Sequence, residues 1–371
     1  MRLYGRILLL FCMVVSLTGC VDQIILEDAT ITLMTGIDLN EKNELIFYLS
    51  SPVFSREARL NEEEYGVKAD SMRQARGRFD EMVTALTLSG KIQVFVIGKK
   101  LLEHPHWFQL MDVMFRDARF SVNARVVVFD GPLAELFAFD PIDKPRLPLH
   151  LTKLIDTANQ RNLTVKTRVQ EFHRQMVEKG ETAVLTEIKL DRAVKIMGTA
   201  LLRHDGTYAG LLESRDTMLL QMFLHERAGE TSMTIPLPIQ DDRKKIVKDR
   251  LSFFLRGTNR DVKVSYRNNQ FRFDVKLRLL VDIAERQFPF DMEKDYKKMQ
   301  KMIVEELRKE FTRLVKSCQE NGTDPFGFGV YARAYEYEAW KKVQDDWAAA
   351  FAKADVRFVP EVSIKSNGVI K

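Results

Sequence analysis

Cysteine is scarce in this 371-residue chain: there are three, Cys12, Cys20 and Cys318. So few cannot build a disulfide framework. Excess charge of one sign is missing too. Lysine and arginine number 57 against 52 aspartate and glutamate, a formal charge of +5, and the basic residues are interspersed with acids. That pattern does not fit a nucleic-acid footprint. No apolar run reaches the ~20 residues that a membrane-spanning helix needs. The spacings G-x-x-x-x-G-K-[ST] for a phosphate loop and G-x-S-x-G for a nucleophile elbow are also absent. What remains, 45% hydrophobic and 29% charged residues, is an ordinary globular composition, and the length suits two or three domains.

The opening stretch, MRLYGRILLLFCMVVSLTGC, is built differently. Arg2 and Arg6 give a positive start, and the apolar run from Ile7 to Leu17 is long enough for a secretory leader but too short to cross a bilayer. It ends in Leu17-Thr18-Gly19-Cys20, the order of a bacterial lipobox. The expectation is that residues 1–19 are removed as a lipoprotein signal peptide and that the Cys20 thiol receives a diacylglyceryl group. Loss of Arg2 and Arg6 narrows the cationic margin to three. Each buried methylene contributes about 0.8 kcal/mol, so two acyl chains hold durably where one myristoyl chain is marginal. The competing reading is a secretory signal in which Cys20 falls near the cleavage point by chance. Cys12 leaves with the leader in either case. Cys318 has helical apolar spacing, the placement of a buried structural thiol.

Further on, ATITLMTGID and ELIFYLSS read as strands around the polar turn LNEKNE. In ADSMRQARGRFDEMVTALTLSG, the residues Met72, Ala75, Phe79, Met82, Val83 and Leu86 recur at helical spacing, which predicts a helix ended by Ser89-Gly90. IQVFVIG and NARVVVFDG read as buried strands, HWFQLMDVMFRD as a short amphipathic helix, and PLAELF as a helix opened by Pro132. FDPIDKPRLPLH, with Pro141, Pro145 and Pro148, is the best candidate linker. Two helices and the strand TAVLTEIKL follow. From Val194 the pattern turns to longer β segments. KIMGTALLRHDGTYAGLLES reads as a hairpin turning at Asp205-Gly206 in a type I′ turn. DVKVSYRNNQFRFDVKLRLLVDI reads as a second hairpin, turning at Asn268-Asn269 with Phe271, Phe273, Val275, Leu277, Leu279, Val281 and Ile283 on one face. A long helix then places Tyr296, Met299, Ile303, Leu307, Phe311, Leu314 and Cys318 on one stripe, with Asn321-Gly322 as its cap. A helix with Trp340 and Trp347 and the strand VRFVPEVSIK complete the chain.

Candidates for chemistry are few. His104-Pro105-His106 could present two imidazoles, but nothing nearby completes a metal site. His204-Asp205 sits at a hairpin apex, where a solvated turn outweighs a catalytic dyad. Ser214 lies in LLESRD, outside any nucleophile elbow. DPFGFG leaves a helix instead of opening one after a strand, so an interhelical turn with Phe326 and Phe328 inward is expected. Gly327 and Gly329 would be its constrained positions. Glu62-Glu63-Glu64 and DDRKKIVKDR read as solvated surface. These residues point away from an enzyme, with no metal or cofactor.

From Cys20 to the C-terminus the motifs resemble the Ger(x)C family, the lipoprotein C subunits of spore nutrient germinant receptors. CVDQIILEDATITLMTGID keeps Cys20, Asp22 and Gly36-Ile37-Asp38 at the family's spacing, with Val21 in place of Trp and Ile25 in place of an acid. KIQVFVIGKKLLE is similar to the family's Val-Ile-Gly strand, with Lys91 where His is common, and FRDARFSVNARVVVFDG to its Arg-Asp segment. MGTALLRHDGTYAGLL resembles its Gly-Thr-Ala hairpin, with Leu202 for the usual Phe. TDPFGFGVYARAYEYEAWKKVQDDW resembles its Asp-x-Phe-Gly-x-Gly turn. The resemblance implies a non-enzymatic subunit on the outer face of the spore inner membrane, assembled with membrane-embedded A and B subunits.

The expected fold is therefore α+β and multi-domain, with mixed or antiparallel sheets and packed helices behind a cleaved leader. The expected divisions are residues 1–19 as signal peptide, 20–140 as an N-terminal domain, 141–193 as a middle domain or an extension of the first, and 194–371 as a C-terminal domain. The expected anchoring residue is Cys20. The rival functions are a free-standing extracytoplasmic solute-binding lipoprotein and an extracytoplasmic hydrolase.

Overall fold

The computed structural model describes residues 4–5, 29–54, 57–58, 60–224, 231–237 and 249–366. The lipobox with Cys20, and residues 241–248 of the charge run, lie outside them.

The larger sheet has eight strands: β2 (Met34–Leu39), β3 (Leu45–Pro52), β4 (Glu62–Lys68), β6 (Val94–Gly98), β7 (Arg125–Phe129), β8 (Val184–Leu190), β9 (Val194–Leu202) and β10 (Tyr208–Leu212). Their order is β10-β9-β8-β7-β6-β2-β3-β4. The pairings among β2, β6, β7 and β8 are parallel, and those further out are antiparallel. A parallel centre must be covered on both faces, which is why VFVIG and, after Arg125, VVVF are apolar. Phe95, Ile97, Val126 and Val128 face one core, closed by α1 (Met72–Asp80), α2 (Asp112–Arg116) and α5 (Val169–Val177). Val94, Val96, Val127 and Phe129 face the other, closed by α3 (Leu133–Phe137) and α4 (Leu147–Gln160). A short parallel ribbon of β1 (Ala29–Ile31) and β5 (Leu86–Leu88) precedes this layer.

The smaller sheet runs β11 (Thr231–Pro236), β12 (Arg250–Arg267), β13 (Gln270–Arg286), β14 (Asp355–Ser366). Its third core contains one face of β13, residues Phe271 to Ile283 at every second position, against α6 (Ser214–Leu224) and α7 (Met292–Glu320). α8 (Phe328–Tyr335), α9 (Tyr337–Trp340) and α10 (Trp347–Ala352) complete that core. On α7 the expected stripe is buried from Met299 to Cys318, and only Tyr296 stands partly in solvent. Asp291 caps this helix by accepting from the N–H groups of Glu293 and Lys294. Asn268 and Asn269 both have positive φ, 51° and 57°, as the I′ turn requires. The fold is α+β with mixed sheets.

Several elements differ from their sequence reading. The helix expected through Leu86 stops at Asp80, because the Asp80 carboxylate accepts both the N–H and the hydroxyl of Thr87, at 3.0 and 2.8 Å. Leu86–Leu88 is thereby turned into a strand beside β1. At the other hairpin, the Gly206 N–H bonds the Arg203 carbonyl and only Gly206 has positive φ, 88°, so the turn is not type I′. The proline-rich segment at 139–146 joins two helices of a single layer. Residues 141–193 supply α4, α5 and β8, and the β9–β10 hairpin, read as the start of the C-terminal unit, continues the same sheet by pairing with β8. Alternating polarity marks a strand but does not say which sheet it extends.

Candidate functional site

Two of the short motifs interlock at the far end of the parallel strands. In Gly36-Ile37-Asp38, the Asp38 carboxylate accepts from the Leu39 N–H at 2.8 Å and from the Leu133 N–H at 3.0 Å, tying β2 to the start of α3. Gly98, which ends the Val96-Ile97-Gly98 strand, leaves room for that carboxylate: a Cβ there would lie 1.9 Å from it. Gly36 admits Leu133 in the same way, at 2.9 Å from the position of a Cβ. Burial raises the Asp38 pKa, and the two backbone donors and Lys100 oppose the rise. The arrangement is a closed structural lock with its acceptors occupied.

The DPFGFG motif forms the joint between the two sheet units. Asp324 is buried, and one of its carboxylate oxygens accepts from the Gly329 N–H and from the Trp347 indole N–H, each at 2.9 Å. Burial pushes its carboxyl up to about 6 against these donors. The Asp324 backbone pairs with Thr182 of the first unit: its N–H donates to the threonine hydroxyl and its carbonyl accepts the threonine N–H. Gly327 has φ of 73°, a left-handed position that favours glycine. Gly329 is required for a different reason. A Cβ on it would stand 2.6 Å from the Gly180 Cα, and one on Gly180 would meet the Val330 nitrogen at the same distance. Phe326 and Phe328 point inward, as their spacing implied.

Beside this joint, α5 and the α8–α9 turn enclose an open groove of about 880 Å³. Arg333 makes a two-pronged bond to Glu178 at 2.8 and 2.9 Å across the seam, and its guanidinium lies 5.4 Å from the Trp340 ring centre. Lys179 reaches Asp345 at 2.6 Å. Arg174 pairs with Glu181, whereas Arg168 stands exposed at the groove's edge. Three of its four cations are already paired, and two of those pairs, Arg333–Glu178 and Lys179–Asp345, cross the seam.

The remaining candidates fall apart as chemistry. The His106 N–H bonds the Asp205 carbonyl and the Trp107 indole bonds Gly206, so the His-Pro-His stretch supports the β9–β10 turn. Asp205 accepts from the Thr207 N–H and hydroxyl and shares no bond with an imidazole base. Ser214 is the first residue of α6. Cys318 is buried, and burial pushes its thiol up to about 12. Glu62, Glu63 and Glu64 lie on the edge strand β4, where burial and the neighbouring carboxylates raise Glu64 to about 7. Among the described residues no group of three or more His, Cys, Asp or Glu could hold a metal ion, and no helix is long and apolar enough to cross a membrane. One cluster had no signal in the sequence. Buried Glu187 takes Lys99 at 2.8 Å and the Tyr208 hydroxyl at 2.8 Å, from positions 88 and 21 residues away. It is a satisfied ion pair.

The geometry thus defines an α+β protein of two sheet units whose distinctive residues serve packing, capping and the seam. Comparison with known proteins agrees. Residues 22–190 match the family described as spore germination protein N-terminal domain, and residues 197–368 match the spore germination B3/GerAC-like C-terminal family. The chain is 24% identical to Spore germination protein KC of Bacillus subtilis (strain 168), over 96% of this chain and 92% of that one. The crystal structure of the GerBC protein superposes with a TM-score of 0.56 at 15% identity, covering 89% of this chain and 96% of that one, a likeness of fold. The chain belongs to the Ger(x)C family of spore germination proteins.

Proposed function

We propose that this chain is the lipid-anchored, non-enzymatic C subunit of a spore germinant receptor, held at the outer face of the spore inner membrane by Cys20 and assembled with membrane-embedded A and B subunits. The observation that carries this reading is the pair of family matches, which together span the chain from residue 22 to residue 368. The lipobox supports the anchor, and the closed hydrogen bonding of the motif residues supports a protein that works through its surfaces. The groove favours the solute-binding reading only weakly, since most of its cations already have carboxylate partners. Calorimetry of the chain against nutrients tests it; saturable binding without partners would support that reading.

The decisive experiment follows dipicolinate release from spores that lack this chain or carry Cys20→Ala, across a panel of nutrients, with a non-nutrient germinant as control. Selective loss of one or more nutrient responses with the control intact is the expected result. The Ala variant is expected to fold without carrying lipid. A fully lipidated Ala variant retained in the membrane would overturn the anchor at Cys20.

A further inference from the structure

Strand register gives the larger sheet two distinct ends. Met34, Val94 and Arg125 stand in one row across β2, β6 and β7, with Ser50 opposite Met34 and Glu62 opposite Pro52. The chain entering β2, the β3–β4 connection, and the connections before β6 and β7 therefore all meet the sheet at this same end. Several large apolar side chains are exposed on these connections. Phe54 and Leu60 are each 70% exposed, Leu86 56%, Met82 50% and Val122 40%. At the opposite end, residues 40–44 and 130–132 carry no exposed large apolar side chain. Isolated exposed hydrophobes are ordinary on a soluble protein. Their gathering on three separate connections at one end is a patch that calls for an occupant.

The chain itself indicates which occupant. Ala29, paired with Leu86, is nine residues after Cys20, and nine extended residues reach at most about 30 Å. The tether therefore leaves the body at this end of the sheet, so an acylated Cys20 would draw this end towards the bilayer first. We infer that Phe54, Leu60, Met82, Leu86 and Val122 form a membrane-facing end that dips into a phospholipid surface beside the tether. The inference rests on the lipid anchor at Cys20. Glu62, Glu63 and Glu64 begin the adjacent strand β4, and such a run of carboxylates does not favour anionic lipid, so the proposed contact rests on the apolar side chains. Side chains of this kind settle about 5–10 Å into the boundary between headgroups and acyl chains. The body then stands upright with the far end of its parallel strands turned away from the membrane.

The test uses the full chain produced as a lipoprotein and reconstituted in phosphatidylcholine vesicles. A fluorophore is placed by Phe54→Cys or Leu60→Cys, and at the opposite end by Lys42→Cys. Cys318 is buried and does not compete for label. The expected result is quenching at residues 54 and 60 by nitroxides on the shallow acyl carbons of the lipid, with protection from aqueous iodide, and neither effect at residue 42. Intact mass reports the state of Cys20 independently. A diacylated chain whose probes at 54 and 60 stay open to iodide overturns the membrane-facing end and leaves the tether standing. An unmodified Cys20 overturns the tether, whatever the probes report. Protection from iodide at 54 and 60 without lipid quenching would mean that protein, and not lipid, covers this end, and also overturns the inference.

Discussion

At Asp324 a single carboxylate organises a joint between two sheets, and its titration should be measurable. Burial raises its pKa from 3.8 to about 6. Between about pH 4 and pH 6 the folded chain holds a proton that the unfolded chain has released, so this group's contribution to stability falls as pH rises through that window. Two units correspond to about 3 kcal/mol. Asp324→Asn removes the titration. In urea unfolding, the native chain should therefore lose stability relative to the Asn variant as pH rises from 4 to 7; a constant difference would show that the carboxyl titrates normally. The DPFGFG spacing disclosed a turn with inward aromatics. Its reliance on Thr182, Gly180 and Trp347 was illegible, because those partners are brought together only by folding.

Among the elements, α7 is the one whose sequence spoke most clearly. Its stripe is buried as its spacing implied, and Phe311 stacks on Phe358 of β14 with ring centres 4.7 Å apart. Phe311→Ala leaves a cavity between helix and sheet and should cost about 3–5 kcal/mol. Urea unfolding is the check, and a loss below about 1 kcal/mol would mean that the site collapses around the smaller residue. α1 is the counterexample. Met82 and Leu86 satisfy helical spacing yet end up exposed, since Asp80 captures Thr87 and β1 offers Leu86–Leu88 an edge. Periodicity ranks local alternatives, and a competing strand partner can reverse the ranking.

For the whole molecule, the close backbone approach of Gly180 and Gly329 is what lets the two units share a seam. Gly329→Ala puts a methyl 2.6 Å from the Gly180 Cα, where backbone must move. The expected outcome is a loosened joint: calorimetry that shows one unfolding transition for the native chain should show two, or one broadened, for the variant. An unchanged transition would mean that the Arg333–Glu178 and Lys179–Asp345 pairs, with the surrounding core, hold the units together without this contact.

The type of most elements, the buried faces of β13 and α7 and the family were readable in linear order, since each depends on residues within a few positions or on a pattern along one segment. Membership of strands in sheets was not. β9 and β10, read as the start of the C-terminal segment, pair into the eight-stranded sheet; β8 was free to accept them, and nothing local records which edge is free. The seam at Asp324, the Glu187 ion pair and the gathering of exposed apolar residues at one end of the sheet arise from contacts between distant segments, and folding alone brings those segments together.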